Sequence, residues 1–258
     1  MSTAVQHRPT LCCPSCDQSL APGDEALHCP SCSESVPIVD GVPRFPVPVD
    51  DTPGSDVFEV LSPIYETPLW FPVVYRLIGG PFAPIDDRST IADLLDAGDG
   101  DVLDVACGTG RVTRYVANEA AFVWGIDVSE EMLAKGRQYA DRDGVENAAV
   151  ARMDATDLRF SDDRFDSVAC CWALHLFPDI PEALGEIARV LKPGGTFAGT
   201  TVTDDSVLSA PGVRFGLQQT IDPHVFDRDE LRGLLRDAGF ASAGFEQRGA
   251  ALFFKATT

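Results

Sequence analysis

The fold is decided by a stretch that reads Val102-Leu103-Asp104-Val105-Ala106-Cys107-Gly108-Thr109-Gly110. An apolar, β-branched run ends in an acid and breaks into a turn with two glycines, after which residues 111–116 resume with helical apolar spacing. This order predicts a strand, a tight turn and a helix N-terminus, which together form the crevice where α/β sheets hold adenosine-containing cofactors. Glycine suits such a turn because the backbone must bend sharply and admit a ligand without a Cβ in the way.

Three further stretches stand at distances that strengthen this prediction. A second strand, 122–126, is followed by Asp127, which lies 17 residues beyond Gly110, and one carboxylate there can accept both hydroxyls of a ribose. A third strand edge carries Asp154 and Ala155, where an adenine amino group can donate. Residues 191–197 then have the pattern of a helix stop followed by a strand.

Together these stretches resemble the class I S-adenosylmethionine (SAM)-dependent methyltransferases, with a core similar to the type 11 and quinone-biosynthesis enzymes. The resemblance covers roughly 101–254 and rests on four motifs: D-x-A-x-G-x-G at 104–110, G-x-D-x-S-x-x-M-L at 125–133, D-A at 154–155 and R-V-L-K-P-G-G at 189–195. The second motif has one residue more between its serine and its methionine than the family pattern has. A nicotinamide dinucleotide is the rival ligand, but Thr113 stands where its G-x-G-x-x-G fingerprint has the third glycine. The P-loop pattern G-x-x-x-x-G-K-[ST] does not occur.

The resemblance implies an α/β fold with a Rossmann-like, seven-stranded methyltransferase sheet whose last hairpin is antiparallel. It implies that Asp104 and the glycine turn face the methionine part of SAM, and that Asp127 takes the ribose. Met132 would pack on adenine, whose edge Asp154 and the Ala155 amide would read. The expected cofactor-binding residues are Asp104, Ala106, Gly108, Gly110, Asp127, Met132, Asp154 and Ala155. Asp104 has the alternative of capping the turn, and Met132 that of plain core packing.

Regular alternation of strands and helices independently predicts a parallel sheet covered by helices. The strands are expected near 101–106, 122–126, 147–152, 166–172, 195–202, 242–248 and 250–256. The helices are expected near 110–119, 129–141, 180–191 and 227–238.

The N-terminal segment repeats one tetrapeptide, Cys13-Pro14-Ser15-Cys16 and Cys29-Pro30-Ser31-Cys32, with twelve residues between the copies. Paired C-x-x-C knuckles can place four thiolates tetrahedrally around Zn²⁺, and four cysteines leave no open position, which predicts a structural site. Disulfides are the alternative, which a cytoplasmic setting disfavours. Residues 36–45 predict a closing hairpin with an Asp40-Gly41 turn. This segment resembles the N-terminal zinc ribbons of the bacterial ribosomal-RNA guanine methyltransferases.

The predicted domains are a zinc ribbon at 1–46, a linker at 47–57 and a methyltransferase domain at 58–258. Within the last, 58–98 would form a helical cap over the crevice and 203–226 a substrate-side insertion. The chain lacks an apolar run long enough for a membrane span and lacks a signal-peptide pattern at its N-terminus, so we expect it in the cytoplasm.

The net charge is −20, with three lysines among the 20 basic residues, a balance similar to proteins of salt-accumulating halophiles. An ordinary acidic cytosolic protein is the alternative. At molar salt, bulk charge says less about nucleic-acid partners, because the Debye length falls to about 3 Å.

Methyl transfer depends on alignment and exclusion of water more than on a dedicated catalytic side chain. The exit of the fourth strand lacks the acid-or-Asn, two-proline and aromatic motif of amino-group methylases of nucleic acid. Cys170 and Cys171 lack the Pro-Cys or Thr-Cys setting of pyrimidine C5 methylases. His175 remains a candidate general base for an oxygen or acidic-carbon acceptor, unless it is simply hydrogen-bonded into its loop.

The predicted function is therefore SAM-dependent methyl transfer to a small, apolar or aromatic acceptor. One alternative is an RNA base methyltransferase whose ribbon holds RNA, although residues 1–50 carry only two arginines against six acids. The other is a SAM-binding interaction module whose ribbon docks a protein partner.

Overall fold

The computed structural model describes residues 10–47, 87–203 and 224–258. Residues 1–9, 48–86 and 204–223 lie outside the described residues, and with them the start of the predicted ribbon. Nearly all of the predicted linker and most of the predicted cap and insertion therefore also lie outside them.

The N-terminal segment forms a small antiparallel sheet in the order β1-β2-β3, with β1 at Ala26–His28, β2 at Ser35–Val39 and β3 at Val42–Pro43. The predicted hairpin is confirmed between β2 and β3. Asp40 and Gly41 adopt φ angles of 50° and 73°, the left-handed pair that a two-residue hairpin turn of this type requires.

The remaining elements form a larger α/β unit. In chain order they are α1 (Asp87–Leu95), β4 (Asp101–Val105), α2 (Arg111–Val116), β5 (Phe122–Asp127), α3 (Glu130–Asp143), β6 (Ala148–Arg152), β7 (Phe165–Cys171), α4 (Ile180–Val190), β8 (Leu191–Val202), α5 (Arg228–Asp237), β9 (Ser242–Arg248) and β10 (Ala251–Thr257). A short 3-10 turn, Leu174–Leu176, follows β7.

The larger sheet has seven strands in the order β6-β5-β4-β7-β8-β10-β9. Neighbours from β6 to β8 are parallel, whereas β10 runs antiparallel to both β8 and β9. The predicted fold class, including the antiparallel last hairpin, is confirmed.

One strand begins earlier than predicted. β8 follows α4 without a loop, starting at Leu191 and not at residue 195. Its register against β7 jumps from Phe165↔Leu191 to Ser167↔Thr196, so the extra residues form a bulge. Gly194, with φ 78°, lies in this bulge.

Both faces of the sheet are buried, as parallel sheets require. Side chains alternate along β4: Val102 packs in a cluster with Ile91 of α1 and Val112 of α2, while Leu103 packs in the cluster that contains Ile187 of α4. The carboxyl ends of β4, β5 and β7 therefore meet at one edge, between two filled layers.

The described N-terminal segment, residues 10–47, is called the ribbon below, and it lies against the outer edge of β6. Arg44, next to β3, forms a parallel bridge with Arg152 at the end of β6. Phe45 is 2% exposed and belongs to the same apolar cluster as Phe160 of the larger unit. The ribbon thus pairs with the carboxyl end of the β6 edge, at Arg152, whose backbone would otherwise lack this partner. Among the helices that the structure describes, none is long and apolar enough to cross a bilayer.

Candidate cofactor site and metal centre

The turn after β4 is built from alternating left-handed residues. Ala106, Gly108 and Gly110 have φ angles of 55°, 55° and 70°, and α2 starts directly after them. This conformation costs little at glycine and more at Ala106. A Cβ added at Gly108 would meet no protein atom within 4 Å, so the turn presents an open wall to a ligand. The residues present therefore fit the close backbone approach expected for an adenosine-containing cofactor.

β5 approaches the inner side of this turn closely. A Cβ at Gly125 would stand 2.8 Å from Cys107 Sγ and 3.1 Å from Thr113 Oγ1. The glycine in the second motif is thus explained by packing, because any side chain there would push the turn away from the sheet.

Asp127 lies at the mouth of the turn and is tied to it. Its Oδ2 accepts a hydrogen bond from the Gly108 N–H at 2.8 Å, and its Oδ1 accepts one from the Ser129 N–H at 2.9 Å. A carboxylate has about four acceptor positions, so about two remain for a ligand. Burial raises the pKa of Asp127, an effect that the backbone donors oppose.

Asp104 lies on the other side of the turn and is 2% exposed. Its Oδ2 accepts a hydrogen bond from Thr113 Oγ1 at 2.6 Å. Burial, with a smaller contribution from the negative charge of Asp127, raises the pKa of Asp104 to about 7, although the hydrogen bonds from Thr113 oppose the rise. A buried carboxylate, Asp104, and a half-buried one, Asp127, thus stand beside the glycine turn, an arrangement that a ligand with positive charge would stabilise.

The loop after β6 carries the expected adenine-reading residues. The Met153 N–H donates to the Asp127 backbone oxygen at 3.1 Å, which joins this loop to the ribose-side acid. Asp154 Oδ1 accepts from the Thr156 N–H at 2.8 Å and from Thr156 Oγ1 at 2.7 Å. Asp154 and the neighbouring Ala155 are therefore held in a tight polar turn beside Asp127.

Met132 lies in the first turn of α3 and is 4% exposed. Its N–H donates to Ser129 Oγ at 3.3 Å, which caps the helix. Little of the Met132 side chain is therefore available to a ligand. This burial is also what plain core packing, the alternative role of Met132, would produce.

His175 lies in the 3-10 turn after β7 and is 9% exposed. Its Nδ1 is 3.3 Å from Thr201 Oγ1, and its backbone oxygen accepts from the His224 N–H at 2.8 Å. Burial, helped by the charge of His224, lowers the pKa of His175 to about 4. The imidazole is therefore neutral at physiological pH and able to accept a proton, although a weak base.

Three residues that the sequence did not single out meet beside the turn. Asp87, 1% exposed at the start of α1, accepts from Trp172 Nε1 at 2.9 Å and pairs with Arg111 at the start of α2. Trp172 leaves β7 with a left-handed φ of 58°. The cluster ties the exit of β7 to the glycine-turn helix. No sequence signal could reveal it, because Asp87 lies 24 residues from Arg111 and 85 from Trp172.

The four predicted zinc ligands converge. The Sγ atoms of Cys13, Cys16, Cys29 and Cys32 all lie within 4.8 Å of one another, with three pairs at 3.4–3.6 Å. Tetrahedral ligands at the usual Zn–S length of about 2.3 Å stand about 3.8 Å apart, so this donor set fits zinc. The Ser15 and Ser31 N–H groups donate to Cys13 Sγ and Cys29 Sγ, both at 3.4 Å, bonds that stabilise thiolates.

Comparisons with known proteins agree with this geometry. A family model described as a methyltransferase domain matches residues 102–195, which include the turn and Asp127 but not the ribbon. The demethylmenaquinone methyltransferase of Symbiobacterium thermophilum is 32% identical, over 56% of this chain and 70% of that protein. The chain spans less than half the length of other curated relatives that it matches.

Solved structures share the fold at low identity. The YcgJ protein of Bacillus subtilis superposes with a TM-score of 0.59 at 18% identity, covering 66% of this chain and 97% of that one. The [4+2]-cyclase SpnF superposes with a TM-score of 0.60 at 20% identity, covering 81% of this chain and 97% of that one.

Proposed function

Because the chain belongs to the class I SAM-dependent methyltransferases, we propose that it transfers the methyl group of SAM to a small, apolar or aromatic acceptor. The observation that carries the proposal is the pair of carboxylates, the buried Asp104 and the half-buried Asp127, beside an open glycine turn. SAM has a ribose and carries positive charge on its sulfonium and amino groups, so it complements this pair.

Bound SAM supplies a methyl group on a sulfonium sulfur, which is already a good leaving group. The contribution of the chain is to bind, to orient and to exclude water. Asp127, with its remaining acceptor positions, would hold the ribose hydroxyls, and Asp104 would face the methionine part. The rest of the proposed binding set supplies close backbone approach and adenine contacts: Ala106, Gly108, Gly110, Met132, Asp154 and Ala155.

A small acceptor is supported by the name of the relative from Symbiobacterium thermophilum, a demethylmenaquinone methyltransferase, of which the chain covers 70%. His175 is the proposed general base, since its neutral imidazole lies at the carboxyl end of β7. Its low pKa suits an acceptor that is itself acidic, because a weak base removes only a loosely held proton.

The zinc proposal is supported by the converging thiols of the ribbon. A reducing compartment such as the cytoplasm is the setting it requires, since the four ligands must remain thiols when no metal is bound. RNA is the weaker partner: between residues 10 and 47 the chain has one arginine and five acids, and that arginine, Arg44, pairs with Glu130 at 2.8 Å.

The test is incubation of the protein with methyl-labelled SAM, at low and at molar salt, and with separate small-molecule and RNA fractions of its host. We expect label in a small organic compound, and much less of it with Asp127→Asn at SAM concentrations near the dissociation constant of the parent chain. Label in RNA would reject the small acceptor. Tight SAM binding without transfer to either fraction would favour an interaction module.

A further inference from the structure

The ribbon contacts the larger unit through two backbone junctions. At the first, the Phe45 N–H donates to the Arg152 oxygen at 3.0 Å. At the second, the Cys12 N–H donates to the Arg159 oxygen at 2.8 Å, next to an antiparallel bridge between Leu11 and Phe160.

These junctions bracket one loop. Arg152 immediately precedes residues 153–158, and Arg159 immediately follows them. This segment contains Asp154 and Ala155, the proposed adenine-reading residues. The ribbon therefore holds both ends of the adenine loop.

Side chains reinforce both junctions. Near the first, Glu130 lies 2.8 Å from Arg44 of the ribbon and 3.5 Å from Arg152, so one carboxylate links the two sides. Met153 and Leu158, at the two ends of the loop, are 1% and 2% exposed and share an apolar cluster with ribbon residues. The ribbon members of that cluster are Leu11, Cys13, Leu20, Cys29, Val36 and Phe45.

The larger unit also holds this loop from inside. Arg189 donates to the backbone oxygens of Leu158 and Phe160 at 2.7 and 2.9 Å, and Glu186 accepts from the Leu158 N–H at 2.8 Å. Loss of the ribbon contacts would thus loosen the loop without releasing it completely, so a partial effect on a bound ligand is expected.

The ribbon contacts depend on the metal. A module of fewer than 40 residues buries too little apolar surface to fold alone, so metal binding would supply its folding free energy. Cys13, a ligand, directly follows the residue that forms the second junction. Loss of the metal would therefore remove both outer supports of the loop.

We propose that the metal-bound ribbon is a positioning element of the cofactor site, which couples metal loading to cofactor affinity through residues 153–158. The inference rests on the proposed function, since it takes this loop to contact adenine. Coupling is reciprocal: whatever factor the metal adds to cofactor affinity, the cofactor adds to metal affinity.

The experiment measures the dissociation constant of S-adenosylhomocysteine for the full chain with zinc, after chelation, and after zinc chloride is added back. We expect chelation to weaken binding about tenfold, within the usual range of coupling between sites, and zinc to restore it. Zinc affinity, measured with and without S-adenosylhomocysteine, should change by the same factor. Equal zinc affinities in the two conditions would overturn the coupling.

Hydrogen exchange locates the effect. Amides of residues 153–158 should exchange about tenfold faster without zinc, while those of β7 stay protected. Cys16→Ser should reproduce the loss, whereas Ser33→Ala, which changes an exposed ribbon residue outside the metal cluster, should retain zinc and affinity. If the β7 amides of Cys16→Ser also exchange faster, the variant has lost more than the ribbon contacts. Phe45→Ala is then the test of the coupling, because it keeps all four cysteine ligands and loosens the first junction. Unchanged affinity in Phe45→Ala would then reject the proposal.

The two proposals fail differently. If the zinc-loaded chain does not bind S-adenosylhomocysteine, the proposed function fails. If it binds equally well with and without zinc, only the positioning role of the ribbon fails.

Discussion

Asp104 is expected to stabilise a cationic ligand at the expense of the fold. Its carboxylate is 2% exposed, and burial raises its pKa from 3.8 to about 7. Since the folded-state pKa lies above the unfolded one, the stability it contributes is present below pH 3.8 and is lost as the pH rises to 7. A difference of about three pKa units corresponds to about 4 kcal/mol at pH 8.

Asp104→Asn removes this cost without changing the shape of the side chain. The amide oxygen can still accept from Thr113 Oγ1, while the buried amide NH₂ needs a partner and costs about 1 kcal/mol. We therefore expect the free energy of unfolding to rise by about 3 kcal/mol at pH 8 and to fall by about 0.5 kcal/mol at pH 4, where the relieved cost of burying the charge is smaller than the cost of the buried NH₂.

The assay is urea unfolding of both proteins, without cofactor, from pH 4 to pH 8 at constant salt. Asp237→Asn is the control, because that carboxylate is 71% exposed and should change stability little at any pH. In the same samples Asp104→Asn should weaken SAM binding at least about tenfold, since a charged hydrogen-bonding group is lost. A variant less stable than the parent at pH 8, or with the same pH dependence, would show that burial of the Asp104 carboxylate does not destabilise the fold.

Three further predictions concern the His175 environment, the packing under the turn and the surface charge. The pKa of His175 is about 4 in the folded protein and 6.5 in the unfolded chain, so the free energy of unfolding should fall by about 3 kcal/mol as the pH drops from 6.5 to 4. Urea unfolding of His175→Gln should show a smaller loss of stability over this pH range. An equal loss in the variant and the parent would contradict the burial of His175. Gly125→Ala should destabilise the fold by about 1–3 kcal/mol because the new Cβ meets Cys107 Sγ. Gly233→Ala, in α5 where a Cβ would meet no atom, should stabilise the fold by up to about 1 kcal/mol. Calorimetric melting compares the two variants, and equal effects would be inconsistent with close packing at Gly125. Raising potassium chloride from about 0.1 M to about 1 M should raise the melting temperature of the protein. The acidic side chains behind the net charge of −20 repel one another, and this repulsion is screened as the Debye length falls from about 10 to about 3 Å. A lower melting temperature at high salt would argue against salt adaptation.

The parts of the fold that local patterns encode agree with the sequence-based predictions. The helix expected at 129–141 is Glu130–Asp143, because its start has a serine cap and its end has Gly144 in a left-handed conformation. The early start of β8 was not foreseen. Lys192-Pro193-Gly194-Gly195 has the composition of a loop, and only the register jump against β7 makes room for it in a strand.

Long-range contacts could not be predicted from the sequence for a physical reason. The Asp87–Arg111–Trp172 cluster and the junction of Arg44 with Arg152 join residues from separate elements, and no local propensity records which elements meet. The individual acids at strand ends were recognisable, because the carboxyl ends of parallel strands converge. Their burial was not, and the pKa of Asp104 follows from that burial.

The central claim is that the crevice beside Gly108 holds SAM through Asp127. Isothermal titration of the parent chain and of Asp127→Asn with SAM, and with a nicotinamide dinucleotide as the rival ligand, tests it most directly. We expect the parent chain to bind SAM and not the dinucleotide, and Asp127→Asn to lose about 1.5–3 kcal/mol of SAM binding free energy. Binding of the dinucleotide by the parent, or equal SAM affinity in the two proteins, would contradict it.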